Sequence, residues 1–400
     1  MLYLNQAKIQ YSLDDISIIP AVTSEISSRS ECNPYVYGKM LPIFASPMAG
    51  VVSVENFEEW GKNGVTAILP RNIDLKTRLS YTTSGAWCAY SLTEFETYFL
   101  KARINNADGT TKVLIDIANG HMRKIVDYIK EAKAKYNEID KPIEIMVGNI
   151  ANPKTFEILA DAGADYVRCG VGSGGFCLSS VQTPIHYGMA TLLAEIADIK
   201  EYNGYTTQII ADGGISTFRR AIMALGLGAD YVMIGTAFAK CWESAGDFIL
   251  YRDPTYNIVI SENVQERMCG IFERAHKYEL LNNKTLKLTN YEINKSRILT
   301  PTEKQKKEIL KEYKGQITKE MFGMSTKKAQ KLINKDAKLK TSEGVVRIIN
   351  IEYTLAQWIE NFTDYLKSTM SYCGKRTLND FIANIEVGIM SPGEWNAINK

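Results

Sequence analysis

Eight short apolar runs recur along the chain, and each is followed by a segment whose apolar residues have helical spacing. In order, the runs are "LPIFASP", "VTAILP", "AWCAYSL", "KVLIDIA", "IEIMVGN", "DYVRCGV", "QIIADGG" and "DYVMIGT". Intervening stretches such as "HMRKIVDYIKEAKAKY" place apolar side chains at i, i+3, i+4 and i+7. Alternating strands and helices predict an α/β fold, and eight such units predict a closed (βα)8 barrel.

Two of these units resemble each other within the chain. The stretches "ILADAGADYVRCGVG" and "MALGLGADYVMIGTA" share a helix, an Ala-Asp-Tyr-Val segment and a glycine turn. Repeated units support a single TIM barrel, in which functional residues lie on the loops at the C-terminal strand ends. The polar residues predicted at those ends are Ser46, Asp116, Asn149, Asp212 and Thr236.

Residues 245–320 break the alternation of strand and helix. This region contains the lysine-rich stretch "NNKTLKLTNYEINKSRILTPTEKQKKEILKEYKGQ". A charge run of this kind predicts a solvated helical insertion, and a lid or a partner contact is the alternative. We therefore interpret residues 1–400 as one barrel domain with an insertion or lid region after the eighth strand.

Composition narrows the range of functions. Lys and Arg together number 47 against 45 Asp and Glu, so the net charge of +2 gives no reason to expect nucleic acid or an anionic membrane as partner. The chain shows neither a spanning apolar stretch of about 20 residues nor a signal-peptide pattern, which predicts a cytoplasmic protein. Seven cysteines without a CxxC pair indicate reduced thiols.

A glycine-rich loop, "GVGSGGFCLSSVQTP", follows the sixth run and contains Cys177. The preceding Gly172, Gly174 and Gly175 allow the backbone to aim several carbonyls at one point, which suits a monovalent cation. A thiol on such a loop, with Ser179 nearby, is placed to attack an electrophilic carbon. The alternative is a buried structural cysteine.

Glycines also end the seventh and eighth runs. Asp212 precedes Gly213 and Gly214, and Gly235 precedes Thr236. Backbone N–H groups on these adjacent loops could hold a phosphate, with Asp212 accepting from sugar hydroxyls. Plain turns are the alternative interpretation.

Three further polar residues have two interpretations each. Asp116 and Asn149 end the fourth and fifth runs, where they could be site residues or strand-end caps. Glu343 in "TSEGVV" is a candidate acid or base, or a solvated turn residue.

The loop "GVGSGGFCLSS" resembles the catalytic-cysteine loop of the IMP dehydrogenase and GMP reductase family. Further stretches resemble that family in the same order: "YSLDDISIIP", "SSRSEC", "ASPM", "LIDIANG", "GNI", "ADGGI", "MIGTA", "FGMS", "SEG" and "SYCGKRTL". The resemblance implies a homotetrameric enzyme in which Cys177 attacks C2 of a purine nucleoside monophosphate. A hydride is then exchanged with a nicotinamide cofactor, NADPH or NAD.

The resemblance also implies the roles of individual residues. The catalytic residues would be Cys177, Ser179 and Glu343. The substrate-binding residues would be Ser46, Met48, Gly175, Asp212, Gly214, Gly235, Thr236, Gly323, Met324 and Ser325. The cofactor-binding residues would be Arg71, Asp116, Asn119 and Asn149. The backbone carbonyls for K+ would come from Gly172, Gly174 and Cys177.

Two reactions share this machinery, and several positions favour reduction of GMP to IMP with NADPH and release of ammonia. The segment between Arg71 and Lys112 is too short for the CBS-domain pair that dehydrogenases usually carry. The Arg-Tyr pair with which they activate water aligns with Lys331 and Leu332, and "DIANG" resembles the reductase form. Against this, "ASPM", "GSG", "ADGGI" and "IGT" resemble dehydrogenases.

Three alternatives to GMP reduction remain open. The first is an IMP dehydrogenase without CBS domains, converting IMP to XMP with NAD. The second is an enzyme for a modified or deoxy purine nucleotide, because Gly175 and Phe322 replace a Ser and a frequent Tyr of the family. The third is a purine nucleotide-binding protein without turnover.

Overall fold

Eight parallel strands close into a barrel, and they coincide with the eight predicted runs. The computed structural model describes residues 7–102, 109–172, 183–246, 248–251, 279–281, 285–288, 302–312, 314–315, 317–333 and 344–398. The barrel order is β2-β3-β4-β5-β6-β7-β8-β9, with β2 pairing β9 to close the ring. This confirms the predicted (βα)8 TIM barrel.

Within the described residues, the strands are β1 (Ile16–Ile19), β2 (Ile43–Ala45), β3 (Thr66–Leu69), β4 (Trp87–Tyr90), β5 (Thr111–Asp116), β6 (Ile143–Ile150), β7 (Tyr166–Cys169), β8 (Gln208–Asp212), β9 (Tyr231–Ile234), β10 (Phe248–Tyr251), β11 (Glu279–Leu281), β12 (Thr285–Leu288), β13 (Ile317–Phe322), β14 (Val346–Asn350) and β15 (Glu386–Ile389). The helices are α1 (Phe57–Lys62), α2 (Leu75–Thr83), α3 (Leu92–Phe95), α4 (Arg123–Glu138), α5 (Pro153–Asp161), α6 (Met189–Asn203), α7 (Phe218–Gly226), α8 (Thr236–Ala239), α9 (Glu303–Glu312), α10 (Lys327–Ile333), α11 (Leu355–Tyr372), α12 (Leu378–Phe381) and α13 (Pro392–Ile398). A 3-10 turn covers Arg29–Glu31, and a π-helical segment covers Glu96–Lys101.

The barrel interior is a packed apolar core. Its floor, at the N-terminal strand ends, is built from aromatic rings on four strands. Phe44 lies 5.1 Å from Tyr231, and Trp87 lies 5.2 Å from Tyr166, between ring centroids. Because strands in a closed parallel barrel are buried on both faces, they appear in sequence as continuous apolar runs.

The layer between barrel and helices has its own aromatic core. Trp60 on α1 packs against Phe238, and Phe238 packs against Trp358 on α11, each pair with ring centroids 4.9 Å apart. Polar caps start several of the helices that follow barrel strands. Asp74, for example, accepts a hydrogen bond from the backbone N–H of Thr77 at 3.0 Å. These caps fix where those helices begin.

The region 245–320 differs from the predicted helical insertion. Its described parts contain strands β10, β11 and β12 as well as helix α9. With β13 and β14 these strands form a five-stranded antiparallel sheet in the order β11-β12-β10-β13-β14. The alternation of apolar and polar residues in "TLKL" is a strand pattern that the high lysine content obscured. Much of the region lies outside the described residues, and its role as a lid stays a prediction.

Helix α9 contacts the barrel through charged side chains. Lys306 donates to Glu243 at 2.5 Å, and the second carboxylate oxygen of Glu243 accepts from the backbone N–H of Leu355 at 2.7 Å. The chain ends are joined by an antiparallel pair, β1 with β15, in which Ile16 lies opposite Ile389. Among the described residues, no helix has both the length and the apolar character needed to cross a membrane.

Candidate active site

A cavity of about 520 Å³ opens at the C-terminal ends of the barrel strands. It brings together most of the residues predicted from sequence. Those lining it are Ser46, Met48, Arg71, Asp116, Asn149, Gly172, Asp212, Gly214, Gly235, Thr236, Gly323, Met324 and Ser325. Loops that are distant in sequence therefore converge on one site, as expected for this architecture.

One predicted site residue lies elsewhere. Asn119 does not line the cavity: it is exposed, and its side-chain oxygen accepts from the backbone N–H of His121 at 3.1 Å. The remaining predicted site residues lie outside the described residues, so their roles stay predictions. They are Gly174, Gly175, Cys177, Ser179 and Glu343.

Arg168 lines the cavity and makes three hydrogen bonds to carboxylates there, and it was not predicted from the sequence. This β7 side chain is buried and only 6% of its residue surface is exposed. Its Nη1 donates to Asp116 Oδ1 at 2.7 Å, and its Nε and Nη2 donate to Asp212 Oδ2 at 3.1 and 2.8 Å. Burial by itself would lower the pKa of Arg168, but the two carboxylates outweigh it and raise that pKa. The guanidinium is therefore a permanent buried cation.

Asn149 completes the surroundings of Asp212. Its Nδ2 donates to Asp212 Oδ2 at 2.8 Å and to the carbonyl oxygen of Gly170 at 2.9 Å. One oxygen of Asp212 thus accepts from both Arg168 and Asn149. The other oxygen is the one available to a ligand hydroxyl. Asn149 therefore lines the cavity and bonds Asp212, and its role as a cofactor-binding residue stays a prediction.

Arg71 lies next to Asp116 and lines the same cavity. Its Nη1 lies 3.4 Å from the carbonyl oxygen of Asp116 and 4.0 Å from the Oδ2 atom of that residue. Its Nε is buried without a hydrogen-bond partner. The side chain as a whole lines the cavity and is 26% exposed, so the guanidinium can donate to a polar atom of a ligand. The residues present therefore fit a polar cofactor group near Arg71 and Asp116.

The ends of β8 and β9 are closely packed around glycines. Gly213 and Gly214 have φ angles of 101° and 76°, which favour glycine. A Cβ added to Gly235 would lie 2.9 Å from Met48 Sδ and 3.5 Å from Ser46 Cβ. This close approach to Met48 and Ser46 leaves no room for a side chain at position 235, and Gly235 and Thr236 both line the cavity.

The turn Gly323–Ser325 joins β13 to α10 at the cavity wall. The N–H of Gly323 donates to the carbonyl oxygen of Val345 at 3.2 Å, and the hydroxyl of Thr326 donates to the carbonyl oxygen of Gly323 at 2.8 Å. These bonds hold the turn in place. Lys331 and Leu332 lie on α10, and Leu332 is half exposed.

Five of the seven cysteines are described, and all five are buried with raised pKa values. Burial is the main cause in each case, and it raises the pKa of Cys88 to about 11. The others are Cys32, Cys169, Cys241 and Cys373. Because the thiolate is the nucleophile, the raised pKa values make these thiols weaker nucleophiles at neutral pH than an ordinary cysteine. Among the described residues, no group of three or more His, Cys, Asp or Glu side chains could hold a metal.

A cavity with several charged and polar side chains, at the C-terminal face of a closed parallel barrel, defines a TIM-barrel enzyme site for a small organic ligand. The chain belongs to the IMP dehydrogenase / GMP reductase family. The model of the IMP dehydrogenase / GMP reductase domain matches residues 82–288, which is more than half of the chain.

Curated relatives carry both names. The inosine-5'-monophosphate dehydrogenase of Chlorobaculum parvum is 40% identical over 143 residues, 36% of this chain and 28% of that protein. A GMP reductase of Vibrio vulnificus is 29% identical over 223 residues, 54% of this chain and 62% of that protein. The GMP reductase of Aliivibrio fischeri is 34% identical over 176 residues, 44% of this chain and 49% of that protein. Each of these matches covers less than two thirds of the relative.

Proposed function

We propose that the protein is a purine nucleotide oxidoreductase that reduces GMP to IMP and releases ammonia. The observation that carries this proposal is the extent of the matches. Alignment with the Vibrio vulnificus GMP reductase runs over 223 residues and 62% of that protein, whereas alignment with the Chlorobaculum parvum dehydrogenase runs over 143 residues and 28% of that protein.

The connections between the early barrel strands support the same choice. Only helix α2 lies between β3 and β4, and α3 with the π-helical segment follows β4. Six residues before β5, 103–108, lie outside the described residues. Short connections of this kind offer no place for the CBS-domain pair that the family resemblance associates with dehydrogenases.

In the proposed reaction, the thiolate of Cys177 bonds to C2 of the purine and ammonia leaves that carbon. NADPH, when bound, supplies the hydride that C2 receives, and the bond between C2 and sulfur then breaks to release IMP. The balance is GMP, NADPH and two protons giving IMP, NADP+ and ammonium. Glu343 is the proposed proton donor to the leaving group, and Ser179 lies beside the thiol in sequence. The raised pKa values of the five described thiols support the choice of a cysteine on a glycine-rich loop.

The cavity residues have binding roles in this proposal. The free Oδ1 of Asp212 accepts from a ribose hydroxyl, and the N–H groups near Gly214 and Thr236 hold the phosphate. The turn at Gly323 contacts the base, and Arg71 faces the cofactor. The K+ site, NADPH preference, homotetramer and cytoplasmic location stay predictions from sequence.

The test follows the absorbance of reduced nicotinamide in two parallel assays with K+ present, GMP with NADPH and IMP with NAD. We expect loss of NADPH with GMP, matched by ammonia release. The Cys177→Ala variant should bind GMP but lose turnover, because no nucleophile remains. Cys373→Ala is the matched control, since this buried thiol lies outside the cavity lining and should leave turnover intact. Ordinary turnover by Cys177→Ala would contradict the mechanism.

IMP oxidation is the second candidate, favoured by the higher identity of 40% to a dehydrogenase. Formation of NADH and XMP from IMP, without consumption of NADPH by GMP, would establish it. Inactivity in both assays combined with tight GMP binding would point to a binding protein. Inactivity with weak GMP binding would point to a modified or deoxy nucleotide.

A further inference from the structure

Arg168 joins two carboxylates from strands that are not neighbours in the barrel, β5 and β8. Asp116 ends β5 and Asp212 ends β8, and both line the cavity. The guanidinium bonds Oδ1 of Asp116 and Oδ2 of Asp212. Each carboxylate therefore gives one oxygen to the arginine and keeps its other oxygen for other partners.

The fold itself does not require an arginine at this position. In the second copy of the internal repeat, "ADYVMIG", the residue equivalent to Arg168 is Met233, which also lines the cavity and is 1% exposed. A buried charge is costly unless it is paired, and a methionine of similar length meets the packing requirement without that cost. The cation at β7 thus serves the cavity.

We propose that Arg168 couples the two binding subsites, so that a purine nucleoside monophosphate bound at Asp212 raises the affinity for the nicotinamide cofactor at Asp116. This inference rests on the proposed function, which assigns the two ligands to these two carboxylates. Arg168 is a positioning residue, because it acts through the carboxylates.

The coupling follows from a shared hydrogen-bond network. A ribose hydroxyl donating to Asp212 Oδ1 holds that carboxylate, and with it the guanidinium that bonds Oδ2. The guanidinium in turn orients Asp116 and leaves Asp116 Oδ2 facing the second ligand. The first ligand to bind therefore orders the network for both, and the second ligand loses less entropy.

Only a guanidinium, which has several N–H donors in one plane, can hydrogen-bond both carboxylates in this way. Nη1 donates to Asp116, while Nε and Nη2 donate to Asp212. A lysine keeps the charge but presents a single ammonium on a shorter reach. Arg168→Lys should therefore retain binding of each ligand and lose the coupling between them.

The experiment measures the NADPH dissociation constant from its fluorescence, with and without saturating IMP. IMP and NADPH do not react under either candidate function, so binding is observed alone. We expect wild-type protein to bind NADPH at least about fivefold more tightly when IMP is present. Arg168→Lys should bring this ratio close to one. Arg78→Lys is the matched control, because Arg78 is equally buried, bonds Glu94 at 2.6 Å and lies outside the cavity lining.

If Arg168→Lys folds poorly, a second variant tests the same coupling. Asp116→Asn leaves Arg168 bonded to Asp212 and weakens its hydrogen bond to residue 116. The ratio of NADPH dissociation constants without and with IMP should therefore also move towards one. An unchanged ratio in either variant, or a wild-type ratio of one, would overturn the coupling. Failure of wild-type protein to bind IMP or NADPH would instead contradict the proposed function, and with it this inference.

Discussion

The sequence Ala-Asp-Tyr-Val leads into both β7 and β9, and the N-terminal ends of the two strands are built alike. Asp165 accepts from Lys133 and from the backbone N–H of Ile145, each at 2.6 Å. Asp230 accepts in the same way from Lys200 and from the N–H of Ile209, each at 2.6 Å. The following tyrosines both join the aromatic floor. This end of the barrel repeats because it serves stability.

The C-terminal ends of the same two strands differ. β7 presents Arg168, which bonds two carboxylates, and β9 presents Met233 in the apolar interior. Both strands have equivalent places in the barrel, so the difference reflects the cavity and not the backbone. In one βα unit, the N-terminal end of the strand can therefore serve stability while the C-terminal end carries site residues, and the residues at the two ends can vary independently.

The largest expected effect comes from making the two strands alike with Arg168→Met. The substitution leaves Asp116 and Asp212 without their buried cation, so the free energy of unfolding should fall by about 3 to 5 kcal/mol at neutral pH. Urea unfolding of wild-type and variant protein at neutral pH measures this loss. Adding Asp116→Asn should restore part of the stability, and a single-variant loss below about 1 kcal/mol would show that Arg168 is dispensable.

A smaller effect is expected at the shared N-terminal end. Asp230→Ala leaves a backbone N–H and Lys200 without their acceptor and should cost about 2 kcal/mol of unfolding free energy. Asp165→Ala should cost less, because the Asp165 side chain is 33% exposed against 16% for Asp230. Neither variant should change nucleotide affinity by titration, and a changed affinity would contradict the division between structural and chemical ends.

The smallest effect concerns His121 beside the C-terminal end of β5. Its Nε2 accepts from the backbone N–H of Ala151 at 3.1 Å, and its Nδ1 lies 2.8 Å from the hydroxyl of Thr155. Partial burial lowers the pKa of His121 below its ordinary value, so the folded protein favours the neutral ring. Its contribution to stability is therefore complete above the unfolded pKa of about 6.5 and is lost as pH falls through the lower folded pKa.

Thermal unfolding across this pH range tests the expectation for His121. The midpoint of wild-type protein should fall more steeply with acidification than that of His121→Gln. His186→Gln is the matched control, because the His186 ring contacts only one carbonyl, that of Val171 at 3.3 Å, among the interactions described. Parallel profiles for wild type and His121→Gln would remove His121 as the source of acid sensitivity.

The sequence carried enough information for the barrel and for most of its cavity residues. Strands buried on both faces appear as apolar runs, and polar residues directly after them must lie at the C-terminal rim. Arg168 was missed although a signal was present: a charged residue inside "DYVRCGV", where the repeat has methionine. Strand β12, which contains Lys287, was not predicted because the high lysine content of the region obscured its alternation of apolar and polar residues.

By itself, then, the sequence determined the (βα)8 architecture, the end of the barrel that carries the site and most of the polar side chains there. These features depend on local periodicity, which burial imposes on each strand and helix separately. Only the tertiary structure decided that Asp116 and Asp212 share one arginine, and that one oxygen of Asp212 remains for a ligand. Those contacts depend on closure and register of the whole barrel, because they join strands that are far apart in sequence.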